Sequence, residues 1–443
     1  MQTRGCFIRA ALTVVIGGIA MALSGCSPEL TAKPNGPAKV ELRREAGHWQ
    51  LCVDRQPFFI KGAGGAGSLA KLKAAGANSI RTWGADNLQS ILDEAQQLGL
   101  KVCAGIWLHH EHDAERFDYS QPEMVKAQLA QVRQHVLRFK DHPALLMWGL
   151  GNEMEGEAGD KVEIWNAVQE VAKLTKVLDP NHPTMTVIAE LGGQKVENIH
   201  KYCPDIDIIG INSYGGGPSI AERYAKLRGS KPYIVAEFGT PGPWETGKTS
   251  WGAAYEPSST EKSESYRQAY KGAIEQQPMC LGSFAFLWGQ KQETTVTWFG
   301  MFLKGGEKLQ AVDTMTELWS GEPPAVRCPV IKRLEIRGAR EFAPGATIAA
   351  TLEAVDPQGQ PLEVRWVVQP EQTKRLTAGA EEAALPELTD IFVRSDLSSS
   401  EFRAPQPPGG YRLFAYVRNG DGAAVANVPF LVLSGNQAVA ERK

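Results

Sequence analysis

Residues 145–153 read Leu145-Leu-Met-Trp-Gly-Leu-Gly-Asn152-Glu153, an unbroken apolar run that stops at an amide and a carboxylate. A continuous apolar run of this length fits a strand buried on both faces, as parallel sheets require. Residues 233–239 repeat the pattern as Tyr233-Ile-Val-Ala-Glu237-Phe-Gly, with Glu237 closing the run. Working outward, we read further strands at Phe58 to Lys61, Ser79 to Thr82, Lys101 to Trp107, Thr184 to Ala189, Asp207 to Asn212 and Gly282 to Leu287, eight in all. Between them lie patterns such as Leu88-Ile91-Ala95-Leu98 and Leu129-Val132-Val136-Phe139, whose spacing is that of amphipathic helices. Eight βα units closed into a ring predict a (β/α)8 TIM barrel over residues 40–321. The preceding stretch KVELRREAGHWQLCVDRQPFFIKG reads as a hairpin that plugs the barrel bottom.

The texture changes after Trp319, where Gly321, Pro323, Pro324 and Pro329 mark a linker. The runs KRLEIRG, TIAATLEAV, LEVRWVV, GYRLFAYVRN and VANVPFLVL then alternate with period two, and turn signals such as Pro357-Gln358-Gly359 separate them. This predicts an immunoglobulin-like β-sandwich over residues 328–435, with the segment from Thr373 to Leu397 unassigned.

At the other end, Arg4 and Arg9 precede a 14-residue, nearly all-apolar run from Ala10 to Leu23, and Leu23-Ser24-Gly25-Cys26 closes it. The run is shorter than the roughly 20 residues of a membrane span and has the form of an export signal. The ending resembles the bacterial lipoprotein box, which implies lipidation of Cys26, removal of the preceding residues and a membrane anchor at the cell envelope. Ser27 after the Cys points to the outer membrane in that resemblance, and residues 27–39 then form a tether rich in Pro and Gly.

The net charge of −3 lacks the clustered Lys and Arg that nucleic acid demands. A hydrophobic fraction of 43% with 11 Trp excludes disorder over most of the length. Once Cys6 and Cys26 are set aside, five scattered Cys form no disulfide framework and no zinc spacing. Neither a cofactor nor a metal is expected.

TIM barrels carry their functional groups at the C-terminal ends of the strands. Glu153 and Glu237 end strands four and seven, on roughly opposite sides of the ring, and their separation of 237 − 153 = 84 residues spans three βα units. Two such glutamates match what glycoside hydrolysis needs, a protonated acid for the leaving oxygen and an ionised carboxylate to attack the anomeric carbon.

Met147-Trp-Gly-Leu-Gly-Asn152-Glu153 resembles the acid/base motif of family 2 glycoside hydrolases, the β-galactosidase and β-glucuronidase family of clan A, with Gly149 where Ser is usual. Phe58-Phe-Ile-Lys-Gly-Ala is similar to that family's first strand, Gly76-Ala-Asn78-Ser-Ile-Arg81-Thr-Trp83 to its second, and Asp207-Ile-Ile-Gly-Ile-Asn212-Ser-Tyr214 to its sixth. Fungal cell-wall β-1,3-glucanosyltransferases share similar strand-two, strand-four and strand-six motifs. The resemblance covers about residues 40 to 320. It implies Glu153 as general acid/base, Glu237 as nucleophile, Asn152 on the sugar 2-hydroxyl, and Arg81 and Tyr214 keeping Glu237 ionised and oriented. Asn212 belongs to the same support, and Trp288 would be a sugar platform at the end of strand eight. Retention of configuration is implied, with carboxylates about 5 to 5.5 Å apart. The domains that usually precede the family's barrel have no counterpart in the short stretch before this one, and here a sandwich follows, which leaves the sugar open.

Around this centre, His109, His110, Trp244 and Asn87 are candidate subsite residues, and Asp86 a plausible sugar hydrogen-bonder. His109-His110-Glu111-His112 lacks the companion ligands of a metal site. Glu155, Glu157 and Glu190 read as subsite or solvated-loop residues, and Trp83, Trp107 and Trp251 as core more than platform. The functional expectation is a retaining β-glycoside hydrolase acting on a β-linked glucan or related oligosaccharide. A β-glucan transglycosidase would use the same glutamates, and a non-catalytic carbohydrate-binding lipoprotein is the rival of another class.

Overall fold

The computed structural model describes residues 36–111, 117–156, 159–373 and 379–434. The export signal, Cys26 and the start of the tether lie outside the described residues, as do His112 and Glu157. No helix among the described residues is long and apolar enough to cross a membrane.

Strands β1 (Val40–Glu45), β2 (His48–Val53) and β3 (Gln56–Pro57) form a small antiparallel sheet. Eight parallel strands follow: β4 (Ile60–Gly64), β5 (Ser79–Arg81), β6 (Lys101–Ile106), β7 (Leu145–Asn152), β8 (Thr184–Ala189), β9 (Ile208–Asn212), β10 (Tyr233–Phe238) and β11 (Cys280–Phe286). They close into a barrel in sequence order, with β11 pairing back onto β4. Among the described residues eight α-helices are present: α1 (Leu69–Ala74), α2 (Leu88–Leu98), α3 (Pro122–Phe139), α4 (Val162–Leu178), α5 (Lys195–Tyr202), α6 (Ile220–Lys226), α7 (Ser259–Ala273) and α8 (Gln310–Ser320). The fold is a TIM barrel, as the alternation of apolar runs and amphipathic segments predicts.

Strand alternation sorts the barrel residues into two cores. In β6, Val102, Ala104 and Ile106 face the helix layer, while Cys103 joins Met147, Met185, Ile234, Ala236 and Phe284 inside the barrel. The interior core extends downward through Ile60 and Leu281 to Val40 and Leu51 of the hairpin. Backbone bonds from Val40 to the Asn181 carbonyl and from Trp49 to the Pro278 carbonyl, both 2.8 Å, fix this plug beneath the barrel. Burial of Leu, Ile, Val and Met in both layers supplies the main driving force, at about 1.5 to 3 kcal/mol per large side chain.

The C-terminal β-sandwich has two four-stranded sheets. One contains β12 (Val330–Ile336), β14 (Thr347–Val355), β17 (Ser399–Arg403) and β16 (Phe392–Ser395). The other contains β13 (Glu341–Phe342), β19 (Ala423–Val432), β18 (Gly409–Arg418) and β15 (Glu363–Pro370). Ile348, Leu352, Trp366, Phe402, Leu413 and Phe430 fill the space between them. Strand β16 falls in the segment the sequence left unassigned. Three of its four residues are exposed, so it carries no alternating apolar signal.

Candidate active site

The glutamates stand where β7 and β10 reach the upper rim. Glu237 is buried and accepts three hydrogen bonds: from Arg81 Nη1 at 2.9 Å and Trp83 Nε1 at 2.7 Å on Oε1, and from the Tyr214 hydroxyl at 2.7 Å on Oε2. Arg81 and Trp83 come from the end of β5, where alternate residues point toward the barrel axis. Arg81 is itself held by the Ala236 carbonyl at 2.8 Å and the Asn152 Oδ1 at 2.6 Å. Burial, together with the Glu237 and Glu153 carboxylates, raises the Tyr214 hydroxyl well above the usual phenol range, so Tyr214 stays protonated and donates.

Glu153 has a different setting. Its one hydrogen-bond donor among the described residues is Asn212 Nδ2, 2.5 Å from Oε1. Burial, then repulsion from Glu237, pushes its carboxyl up to about 7. Two carboxylates in one cavity thus have different surroundings, Glu237 bonded by a cation and two neutral donors and Glu153 desolvated, and it is the desolvation that raises Glu153. Glu153 lies at positive φ (53°) just past the strand, a conformation costly for a residue other than Gly, Asn or Asp. Asn212 links the halves, donating to both Glu153 and the Asn152 Oδ1 (3.2 Å). With that oxygen occupied by Arg81 and Asn212, the Asn152 amide NH2 is the end left to meet a ligand.

Comparison with known proteins agrees with this geometry. The family described as "Glycosyl hydrolases family 2, TIM barrel domain" matches residues 68–273. The barrel is therefore family 2-like, similar to the glycoside hydrolase barrels of clan A. A β-galactosidase of Vibrio vulnificus is 27% identical over 179 residues, covering 36% of this chain and 16% of that protein. A β-galactosidase of Photobacterium profundum is 29% identical over 130 residues, covering 29% and 11%. The chain thus spans a small part of the relatives it matches. Among solved structures, a Ruminococcus gnavus β-glucuronidase superposes with TM-score 0.51 at 16% identity, covering 65% of this chain and 53% of that one. A Bacteroides uniformis β-glucuronidase 2, covalently bound to cyclophellitol-6-carboxylate aziridine, gives 0.50 at 14% identity, covering 89% and 48%. At such identities the likeness is one of fold.

Within the family 2-like barrel, Trp288 is corrected. It is fully buried, its Nε1 donates to the Ser68 carbonyl at 3.0 Å, and its ring packs on Phe302 and Trp319. A ring enclosed by the helix layer offers no face to a sugar. Trp107 is the converse. It is 46% exposed, not core, and stacks on His110 with ring centres 5.0 Å apart. Trp244 is 58% exposed and meets Tyr214 edge to face at 5.9 Å. His109 supports the loop. Its backbone N–H donates to Gln128, its carbonyl accepts from Tyr119, and its ring stacks on Phe117. Asn87 is exposed and starts α2 in the left-handed region, and Asp86 beside it is exposed as well.

Glu155 is no solvated-loop residue. It is buried, accepts from the Ala189 N–H at 2.8 Å and pairs with Lys195 at 3.5 Å. Glu190 is bound by Arg223 and Ser213. The sequence reading missed Trp83 as a partner of Glu237, although its position two residues beyond Arg81 gives it the same facing.

Proposed function

We propose that this protein is a retaining β-glycosidase working by double displacement. The observation that carries the reading is the split environment of the two glutamates, one desolvated and near neutrality, the other held by Arg81, Trp83 and Tyr214. Glu153 donates its proton to the glycosidic oxygen as that bond breaks, while a Glu237 oxygen forms a bond to the anomeric carbon. Glu153, now ionised, then takes a proton from water, and the resulting hydroxide attacks the anomeric carbon and releases Glu237. Asn152 offers its amide to the sugar 2-hydroxyl, a contact that strengthens as the anomeric carbon gains positive charge.

The substrate we infer is a β-linked glucan or related oligosaccharide, and the relatives named β-galactosidase and β-glucuronidase set the other sugars to be tried. A transglycosidase differs only in having a sugar hydroxyl resolve the intermediate. Lipidation at Cys26, with attachment to the outer membrane, is the location we propose. Incubation with β-glucans of differing linkage and with aryl β-glucosides, β-galactosides and β-glucuronides, with products resolved by length, tests the reading. Shorter products support a hydrolase and longer ones a transglycosidase. No conversion of any of them by the parent protein would leave the carbohydrate-binding alternative in its place.

A further inference from the structure

All 11 tryptophans lie among the described residues, and nine of them are buried or half-buried. The two exceptions, Trp107 and Trp244, both stand at the upper rim of the barrel, where each would cost less if turned inward. Trp107 follows β6 directly. Because Cys103 faces the barrel interior and Ile106 the helix layer, alternation sends Trp107 toward the mouth of the barrel. Trp244 lies in the loop after β10, against Tyr214, whose hydroxyl touches Glu237. Strands β6 and β10 are four places apart in an eight-stranded ring, so the two rings rise from opposite sides. Strands about 4.8 Å apart and tilted by about 36° give a ring roughly 15 Å across, longer than one sugar.

Both rings are held in place. His110 lies parallel beneath Trp107, with interplanar angle 14°, and the His109 backbone is bolted to Gln128, a buried side chain of α3. On the other side, the Glu245 carboxylate accepts from the backbone N–H of Gly242 at 2.7 Å and of Gly215 at 3.0 Å, joining the loop that carries Trp244 to the loop after Tyr214. Gly242 itself makes room for the indole, since a Cβ there would sit 2.4 Å from the ring. An exposed tryptophan with a built support is a preorganised stacking surface, suited to the C–H faces of pyranose rings.

We propose that Trp107 and Trp244 are the two end platforms of a cleft that crosses the barrel mouth over Glu153 and Glu237 and takes a β-linked oligosaccharide on both sides of the scissile bond. The inference deepens the glycosidase reading and rests on it for the substrate class. Its test is nevertheless independent of turnover. In the full chain carrying Glu237→Gln, calorimetric titration with β-1,3-linked and β-1,4-linked glucopentaose is compared with methyl β-glucoside. One pentaose is expected to bind at least tenfold tighter than the single sugar. Adding either Trp107→Ala or Trp244→Ala should weaken the pentaose about tenfold, and Trp107→Phe, which keeps a stacking face, should retain most of the affinity. Thermal melts establish that each variant is folded. Pentaose affinity unchanged by Trp107→Ala, or no gain of either pentaose over the single sugar, would overturn the cleft. The two readings fail separately. A parent inert toward every glycoside whose Glu237→Gln form still shows the tryptophan dependence loses the glycosidase and keeps the cleft. An active parent without that dependence loses the cleft alone.

Discussion

Glu153 and Glu237 differ by a handful of neighbours, and those neighbours set what each can do. Glu237→Gln keeps an acceptor for Arg81 and Trp83 but removes the nucleophile, so turnover of an aryl β-glycoside should fall at least a thousandfold while the folded baseline in circular dichroism persists. Turnover near the parent level would remove Glu237 from the mechanism. Glu153 allows a pH argument. Its carboxyl is held near 7 in the folded protein against 4.5 as the ordinary value, so between those pH values the folded state keeps a proton that the unfolded state has lost. Stability from this group is therefore full below about pH 4.5 and declines as pH rises toward 7, by roughly 3 kcal/mol in all. Glu153→Gln escapes that decline, so its melting temperature relative to the parent should be higher at pH 8 than at pH 5. An equal difference at both values would show that the carboxyl is not desolvated. In activity, kcat/KM of the parent for a glycoside with a poor leaving group should drop about tenfold per pH unit above 7, with a smaller drop for a good leaving group.

At the scale of elements, the strand ends decide what a sequence can reveal. The runs before Asn152, Tyr214 and Glu237 end in polar or aromatic residues at the strand's natural stop, so period and position together disclose them. Trp288 defeats the same reasoning. Phe284 faces the barrel interior and Phe286 the aromatic cluster at the mouth, yet two residues later Trp288 turns back into the helix layer. Counting by twos cannot register such a change of direction, whereas Trp107 keeps the alternation of β6 and read as core only because aromatic side chains are more often buried. Close approach between strands was likewise hidden. A Cβ on Gly105 of β6 would sit 2.3 Å from the Thr82 carbonyl oxygen and 2.4 Å from the Trp83 carbonyl carbon. Gly105→Ala must therefore displace the end of β5, the segment that aims Arg81 and Trp83 at Glu237. The expected result is a folded protein with kcat reduced tenfold or more, and an unaltered kcat would mean that β6 yields in place of β5. Helix α7 carries a different constraint. Lys262 is buried against Glu256 at 2.5 Å, and although burial pushes the Glu256 carboxyl up, Lys262 and Arg412 outweigh it and hold the group below its usual range. Lys262→Met should cost about 3 kcal/mol in denaturant unfolding, because a buried carboxylate loses its nearest cation. A loss below about 1 kcal/mol would assign the compensation to Arg412.

Across the molecule, that same Glu256 shows why the barrel and sandwich act as one body. The described residues, barrel and sandwich together, form a single compact unit. Glu256 receives bonds from Thr295 and Thr297 of the loop after β11, from Lys262 of α7, and from Asn427 of β19 at 2.7 Å. The Arg412 side chain of β18 reaches Asn427 and the Ala254 carbonyl. Leu303 and Leu309 of the barrel share an apolar cluster with Val367, Phe414 and Tyr416 of the sandwich. Glu382, in the segment before β16, is bound at both ends to the loop after β11, its carboxylate accepting from the Thr294 N–H and its own N–H donating to the Gln292 carbonyl, each at 2.8 Å. The Pro-rich stretch after Trp319 reads as a linker in sequence because none of these long-range contacts leaves a local signature. Buried charges divided between two bodies are costly to expose separately, so neither should open while the other stays folded. Scanning calorimetry of the full chain is expected to give one transition whose calorimetric and van't Hoff enthalpies agree. Two resolved transitions would show that the shared Glu256 network does not couple the melting of the two cores. In that case the sandwich would be an appendage to the catalytic face, not a brace that fixes the loops after β10 and β11.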